Sequence, residues 1–401
     1  MRLPGIGAAG LMILVLAACS ASPSAPTPVT SSSGTTGASA GSPSGTPAAK
    51  PPGERAAGSA TVVLNGDLLW HNTLWYGANE DARRARHSGR DDYDFQPLLT
   101  GIKPVVTGAD LAICHEEVPL APRGGPYRNY PRFAVPPHVV AAIKATGYDL
   151  CTTSSNHALD QGFAGLKRTL DALDRAGIRH VGTNRTARAA KTPVVFTTRS
   201  GVKIGVVAAT VSTNGIPSPP GKSWAVNRLS AGSLLDQAKR AKASGADIVL
   251  AAVHAGTEHS PRENGQQREL ARELTASADI DLVYMHHTHT VQPWRKVNGK
   301  WVVYGLGNTV AQHQKNLLRG HEGVTARFTF TQDDTGVYRV AKAEYIPTLV
   351  TRYAPGKPAR LLQISAALPT ARGALRERLT AAKRRTVAVV TAHDPPGLVE
   401  S

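Results

Sequence analysis

From Ser59 to about Val350, short apolar segments typical of strands alternate with segments typical of amphipathic helices. The strand-like segments are rich in Val, Ile and Leu and are bounded by turn residues. Nine strands are predicted, at residues 60–67, 109–116, 148–156, 178–184, 202–210, 246–254, 280–287, 300–308 and 324–331. Helices are predicted at 163–177, 233–246 and 266–278, and the last strands, near 325–348, form a pair without a helix between them. This alternation predicts a layered α/β domain.

The N-terminus resembles a secretory signal. Arg2 precedes a short apolar run that ends in the sequence LAAC, at Leu16 to Cys19. The run is too short to be read as a membrane span, and its end resembles a bacterial lipobox. We expect a lipoprotein signal peptide at 1–19, with cleavage before Cys19 and lipidation of that cysteine. An ordinary cleaved signal with an incidental cysteine is the alternative.

Residues 20–58 are rich in Ser, Pro and Gly and carry almost no large apolar side chains. Such a segment cannot bury a core, so it is predicted to be a disordered linker. The expected order is then a folded domain at 59–350 and a basic extension at 351–401, for which at least one helix is favoured. Together with the lipobox, this predicts an extracytoplasmic lipoprotein of the cell membrane.

The chain is strongly basic, with 46 Lys and Arg against 29 Asp and Glu and a net charge of +17. This charge suits an anionic polymer, surface or substrate, although a generally Arg-rich surface would give the same balance. The basic residues are spread out and no nucleic-acid-binding motif is visible, so no nucleic-acid partner is expected. Outside the cytoplasm Cys114 and Cys151 could form a disulfide, and two buried free thiols are the alternative.

Polar side chains with metal-ligand chemistry follow the core strands at the points where the strands end. In open α/β sheets, ligands bind beyond the carboxyl ends of the strands, so five separate strands would deliver these groups to one edge. The residues are Asp67 with His71; Glu116 and Glu117; Asn156 and His157; His254; and His286, His287 and His289.

Imidazoles mixed with carboxylates and one amide oxygen favour Mn, Fe or Zn over Ca or Mg. Each residue alone has an ordinary structural explanation, such as a capped turn, a solvated acidic pair or a core histidine. Three histidines within residues 286–289 rarely serve packing, and the whole set at strand ends predicts a site for two divalent metal ions. Such a pair of metals activates water and holds phosphate oxygens.

Seven motifs between Ala60 and Ala311 resemble the CapA family of poly-γ-glutamate capsule biosynthesis proteins. They are NGDLLWH (65–71), HEEVPL (115–120), SSNHALDQGFAGLKRTLDALDRAGI (154–178), VGTN (181–184), VHAGTEH (253–259), DLVYMHHTHTVQP (281–293) and VVYGLGN (302–308). That family is similar to the calcineurin-like metallophosphoesterases. The resemblance implies a four-layer α/β/β/α sandwich with a metal site at one edge.

The resemblance also implies roles for individual residues. Asp67 and His289 would bind the first metal, Glu117 would bridge the two metals, and Asn156, His254 and His287 would bind the second. His157 would be the general acid or the group that stabilises the transition state. His71, Glu116 and His286 are further candidate ligands.

Two functions from different classes follow. The first is an extracytoplasmic metal-dependent hydrolase of the phosphoesterase type, acting on an anionic polymer or phosphoester. The second is a non-catalytic component of a capsule synthesis or export complex that binds an anionic polymer. The resemblance names the capsule pathway and leaves catalysis open.

Overall fold

The computed structural model describes residues 58–86 and 92–401. The expected signal peptide, the lipidation site at Cys19 and the linker up to residue 57 lie outside the described residues.

The described residues form fifteen strands and ten α-helices. The strands are β1 (Ser59–Leu68), β2 (Leu111–Glu116), β3 (Leu150–Thr152), β4 (Arg179–Val181), β5 (Val194–Thr197), β6 (Lys203–Thr210), β7 (Ile248–His254), β8 (Leu282–His286), β9 (Trp294–Val297), β10 (Lys300–Val303), β11 (Asn308–Val310), β12 (Glu322–Gln332), β13 (Tyr338–Val350), β14 (Leu361–Gln363) and β15 (Leu398–Glu400). The helices are α1 (Asn72–Arg84), α2 (Gln96–Leu99), α3 (Lys103–Thr107), α4 (Val139–Thr146), α5 (Gly162–Arg175), α6 (Ala187–Lys191), α7 (Ala231–Ala243), α8 (Gly265–Ala276), α9 (Ile364–Ala367) and α10 (Gly373–Val390).

The strands form two sheets. The first has the order β14-β13-β12-β1-β2-β3-β4, with β11 also paired to β1 and β15 to β13. Its strands β1 to β4 are parallel, whereas β12, β13 and β14 are antiparallel to their neighbours. The second has the order β5-β6-β7-β8-β10-β9, parallel from β6 to β10 with antiparallel edge strands β5 and β9.

Three apolar cores separate four layers. One lies between the two sheets and contains Val62, Ile113, Leu250 and Phe328, with contributions from both. A second lies between the first sheet and helices α1 to α5, and the third between the second sheet and helices α7 and α8. Each sheet therefore buries both faces, which explains why most parallel strands are continuous apolar runs. The predicted four-layer α/β/β/α sandwich is confirmed.

All nine predicted strands overlap observed strands, and the unseparated pair near 325–348 is the hairpin of β12 and β13. The predicted strand at 148–156 is shorter than expected. Its regular part ends at Thr152, and residues 153–156 instead form a bend that leads into the candidate site. The short strands β5, β9, β11, β14 and β15 were not predicted from the sequence.

Cys114 and Cys151 form a disulfide. They occupy directly paired positions on the adjacent parallel strands β2 and β3, and both are buried. Of the two alternatives that the sequence left open, the structure therefore shows the disulfide.

The C-terminal segment packs on the first sheet. Strands β14 and β15 pair with β13, and Arg385 of α10 forms a partly buried ion pair with Glu322 at the start of β12. Within the described ranges, no helix has the length and apolar character needed to cross a bilayer.

Candidate metal centre

Three histidines occupy the last inward-facing positions of strands that border the space between the two sheets. Each histidine continues the row of core residues on its own strand: His115 after Leu111 and Ile113 on β2, His254 after Leu250 and Ala252 on β7, and His286 after Leu282 and Tyr284 on β8. Side chains two residues apart on a strand point to the same side of the sheet. All three imidazoles therefore enter the space between the sheets. At this end of the space between the sheets, imidazole side chains therefore follow the apolar core.

Asp67 enters the same space from β1. The register of β1 against β2 shifts just before Asp67, and Gly66 lies so close to the residues before β11 that a Cβ there would collide with the carbonyl oxygen of Gly307. This close approach explains the glycine before Asp67. The Asp67 carboxylate lies 2.9 Å from Nδ1 of His286 and 3.1 Å from Nδ1 of His289.

Glu117 follows β2 and lies opposite Asp67. Its Oε1 lies 3.7 Å from Nε2 of His289 and 4.0 Å from Nε2 of His254. His289 also donates a hydrogen bond from Nδ1 to Oδ1 of Asn308, at 3.0 Å, when that nitrogen carries the proton. A histidine held in this way presents its other ring nitrogen as a metal ligand. Here that nitrogen, Nε2, points to Glu117.

Two groups of buried side chains bring potential ligand atoms within 4.8 Å of one another. One is Asp67, His115 and His286, and the other is Asp67, Glu117 and His289. Both oxygens of the buried Glu117 carboxylate and Nε2 of His286 have no hydrogen-bond partner among the described residues. Unpaired buried carboxylate oxygens are costly, so a divalent cation fits this donor set.

The electrostatics support this conclusion. Burial raises the pKa of Glu117 well above its usual value, against the attraction of His289. For Asp67, burial opposes ionisation, but hydrogen bonds from His286 and His289 hold the pKa well below its usual value. Burial also disfavours the charged form of His289, yet Glu117 and Asp67 raise its pKa to about 10. A metal ion must therefore displace a proton from His289 to bind it.

The residues predicted for a second metal lie beside the first group. Nε2 of His254 lies 2.8 Å from Oδ1 of Asn156, and the ring of His287 lies 4.8 Å from the ring of His254. Burial holds the pKa values of His254 and His287 below the usual value, so both rings are neutral, as ligands must be. His287 and His289 have φ angles of 86° and 51°. Non-glycine residues rarely adopt this left-handed backbone, and they often do so at functional sites.

His157 lies at the mouth of the site and is held by Asp160. Its Nδ1 lies 2.7 Å from Oδ2 of Asp160, which also accepts a hydrogen bond from the backbone N–H of Phe133. Nε2 of His157 has no protein partner among the described residues. Asn156 and His157 line a cavity of about 550 Å³ whose rim includes Arg132. Asp160 thus orients the ring of a histidine that lines an open cavity.

Two of the further candidate ligands lie outside both ligand groups. Glu116 lies on the same face of β2 as Ala112 and Cys114, which is the face towards the helical layer. There it accepts a hydrogen bond from Nε1 of Trp70 at 2.9 Å. His71 accepts a hydrogen bond from the backbone N–H of Gln312, and its ring packs on other aromatic rings. Their roles as ligands stay predictions, whereas His286 lies in a ligand group with Asp67.

The orientation of Glu116 has a measurable consequence for stability. Burial raises its pKa from 4.5 to about 8. The unfolded chain therefore loses this proton first as the pH rises, and the folded state is progressively destabilised between about pH 4.5 and pH 8. In Glu116→Gln this dependence is absent. Between pH 5 and pH 8 we expect wild type to lose on the order of 3 kcal/mol of unfolding free energy relative to the variant.

Urea unfolding of both proteins at pH 5 and pH 8, in EDTA and followed by circular dichroism, measures this difference. Glu269→Gln, at an exposed position on α8, is the control and should follow wild type at both pH values. Parallel pH dependence of wild type and Glu116→Gln would show that Glu116 is not buried as described.

His115 is the residue that the sequence reasoning missed. Its Nε2 lies 2.9 Å from Nδ1 of His254, its Nδ1 lies 2.7 Å from Oγ1 of Thr152, and its ring stacks on that of His286 at 4.0 Å. It thus orients two other histidines of the site. The alternation Leu111, Ile113, His115 is the sequence signal that would have found it, because it places His115 on the same face as the core residues before it.

Residues 61–313 match the family model described as "Bacterial capsule synthesis protein PGA_cap". The chain belongs to this family of bacterial capsule synthesis proteins. The matched residues include all of the candidate metal centre.

Two curated relatives of this PGA_cap chain carry related names. The PGA biosynthesis protein CapA of Bacillus subtilis is 27% identical over 211 residues, which cover 50% of this chain and 52% of that relative. The capsule biosynthesis protein CapA of Bacillus anthracis is 27% identical over 178 residues, which cover 43% and 42%. The chain therefore spans about half the length of the curated relatives it matches.

Among solved structures, the calcineurin-like phosphoesterase YfkN of Bacillus subtilis is 18% identical, with a TM-score of 0.45. That alignment covers 82% of this chain and 97% of YfkN.

Proposed function

We propose that this PGA_cap protein is a metal-dependent hydrolase of the phosphoesterase type that acts on an anionic substrate in capsule synthesis. The observation that carries the proposal is the Glu117 carboxylate, which is buried beside Asp67 and His289 and has no hydrogen-bond partner in the described part of the chain. A protein gains nothing in stability from such a group unless a cation compensates it. A site maintained at this cost is expected to be functional.

Two divalent metal ions, with Mn, Fe or Zn as candidates, would be held by six side chains. Asp67 and His289 would hold the first ion, and Glu117 would contribute to both. The second ion would also be held by Asn156, His254 and His287. When bound, such ions polarise a phosphoryl or carbonyl oxygen and lower the pKa of water. The neutral imidazoles and the carboxylates fit these metals better than Ca or Mg.

His157 would supply the proton for the leaving group. Asp160 accepts a hydrogen bond from Nδ1, so the proton that moves would be carried on Nε2 of this cavity-lining ring. A histidine oriented by a carboxylate in this way is the usual arrangement of a general acid. Arg132, exposed at the rim, would attract an anionic substrate.

We also propose an extracytoplasmic location, with attachment to the membrane by a lipid at Cys19. The apolar run before the LAAC sequence and the low-complexity segment after it support this. The disulfide between Cys114 and Cys151 does so independently, because disulfides persist in oxidising compartments.

A non-catalytic role is the second candidate. The net charge of +17 and the names of the curated relatives favour a component that binds an anionic polymer within a synthesis complex. In that case the metal centre would be structural, and turnover would be absent.

The first function predicts hydrolysis of a generic phosphodiester, bis-p-nitrophenyl phosphate, by the full chain with added Mn²⁺. His287→Ala should lower kcat/KM at least about 100-fold, because it removes a ligand to the second metal. Release of p-nitrophenol, with and without EDTA, measures the rate. Tight Mn²⁺ binding without turnover, combined with binding of a γ-linked glutamate oligomer, would favour the non-catalytic role. If neither binds, both functions are wrong.

A further inference from the structure

A second cavity of about 300 Å³ lies at the open edge of the sandwich, away from the metal centre. At this edge the first sheet ends with β4 and the second with β5, and the chain crosses between them through α6. The cavity is lined by this crossing, by β6 and by α7. None of the proposed metal ligands lines it.

The charges in this cavity are positive and uncompensated. Arg188, Lys191 and Arg240 line it, and their side chains form no ion pair or hydrogen bond with any described residue. By contrast, the neighbouring Arg185 forms ion pairs with Asp171 and Asp174. Three unpaired cations around one concavity raise the local concentration of anions.

The inner wall of the cavity is different. Val181, Val194 and Val206 contribute apolar surface, and the amides of Asn227 and Gln237 also line the cavity. Oε1 of Gln237 accepts a hydrogen bond from Asn227, which fixes both amides. A ligand that fits this lining combines spaced carboxylates, for the cations, with methylene groups, for the apolar wall.

We propose that the cavity formed by Arg188, Lys191 and Arg240 binds a segment of a polycarboxylate with amide linkages, of which a γ-linked glutamate chain is the chemical type. This rests on the proposed role of the protein with an anionic polymer, but the binding itself needs neither metal nor turnover. A site for the polymer outside the metal centre would hold a long chain in place while another part of it, or a group attached to it, is at the metal centre. Multiple weak contacts of this kind raise the effective concentration of the substrate at the second site.

The test is the binding of a synthetic γ-linked glutamate decamer to the full chain in EDTA at low salt, measured by isothermal titration calorimetry. The triple variant Arg188→Gln, Lys191→Gln, Arg240→Gln should bind at least about fivefold more weakly, since each exposed charge contact contributes modestly. The matched control is Arg123→Gln, Lys239→Gln, Lys357→Gln, which changes the net charge equally at exposed positions outside the cavity. It should bind like wild type.

Equal loss of affinity in the two triple variants would overturn the proposal, because binding would then follow net charge alone. No binding by wild type would also overturn it. Hydrolysis of bis-p-nitrophenyl phosphate by wild type with Mn²⁺ is measured in parallel. Absence of that hydrolysis counts against the proposed enzyme and leaves the cavity test intact, so the two failures are distinguishable.

Discussion

Glu117→Gln is expected to empty the metal centre, while the neighbouring Glu116→Gln keeps it filled. Glu117 lies among Asp67, His289 and His254, whereas Glu116 faces the helical layer and hydrogen-bonds Trp70. Loss of the carboxylate proposed to bridge the metals should lower Mn²⁺ affinity at least about 100-fold and remove turnover. Metal content after dialysis and calorimetric titration with Mn²⁺ measure the effect.

The two variants are well matched, because the two glutamates are adjacent in sequence and both are buried. Each variant removes one ionisable group. Circular dichroism and thermal unfolding check that both variants fold. If Glu116→Gln loses the metal and Glu117→Gln retains it, the bridging role belongs to Glu116 and the orientation described for the two side chains is wrong.

His157→Ala is expected to leave metal binding intact and to slow turnover by about 10² to 10⁴-fold. His157 is held by Asp160 at the cavity mouth and lies in neither group of potential ligands. The loss should be largest for substrates with a poor leaving group, such as an alkyl phosphodiester, and smaller for p-nitrophenyl esters, which need no proton. Comparison of kcat for the two substrate types, with metal content in parallel, measures this.

Asp160→Asn serves as the matched partner of that variant. It keeps the size of the side chain and weakens the orientation of His157, so its effect should have the same leaving-group dependence and a smaller size. If His157→Ala strips the metal instead, His157 is a ligand and the assignment of the proton donor is wrong.

The candidate metal centre is electrostatically unusual. Two carboxylates and several imidazoles are buried together, and the Glu117 and Asp67 carboxylates raise the pKa of His289 against the effect of burial. Metal uptake should therefore release protons and strengthen as the pH rises. His115 belongs to this arrangement, since its neutral ring connects Thr152 to His254 and stacks on His286.

Much of this protein follows from its sequence alone. Alternating apolar strands and amphipathic helices determined the layered α/β class, because each element must bury its apolar face against another. The polar residues at the carboxyl ends of β1, β2, β3, β7 and β8 determined that a site would form at one edge, since parallel strands end on the same side. Only the local period of each segment was needed for these conclusions.

The tertiary structure decided the rest. One of two adjacent glutamates enters the site. The choice depends on where the side chains of β2 stop alternating between its two faces, and pairing of β2 with β1 and β3 sets that point. The disulfide depends on the register that places Cys114 beside Cys151. The basic cavity depends on how α6, which joins the edge strands β4 and β5, packs beside β6 and α7. Each of these features is set by contacts between distant segments, and such contacts leave no periodic signal in a single sequence.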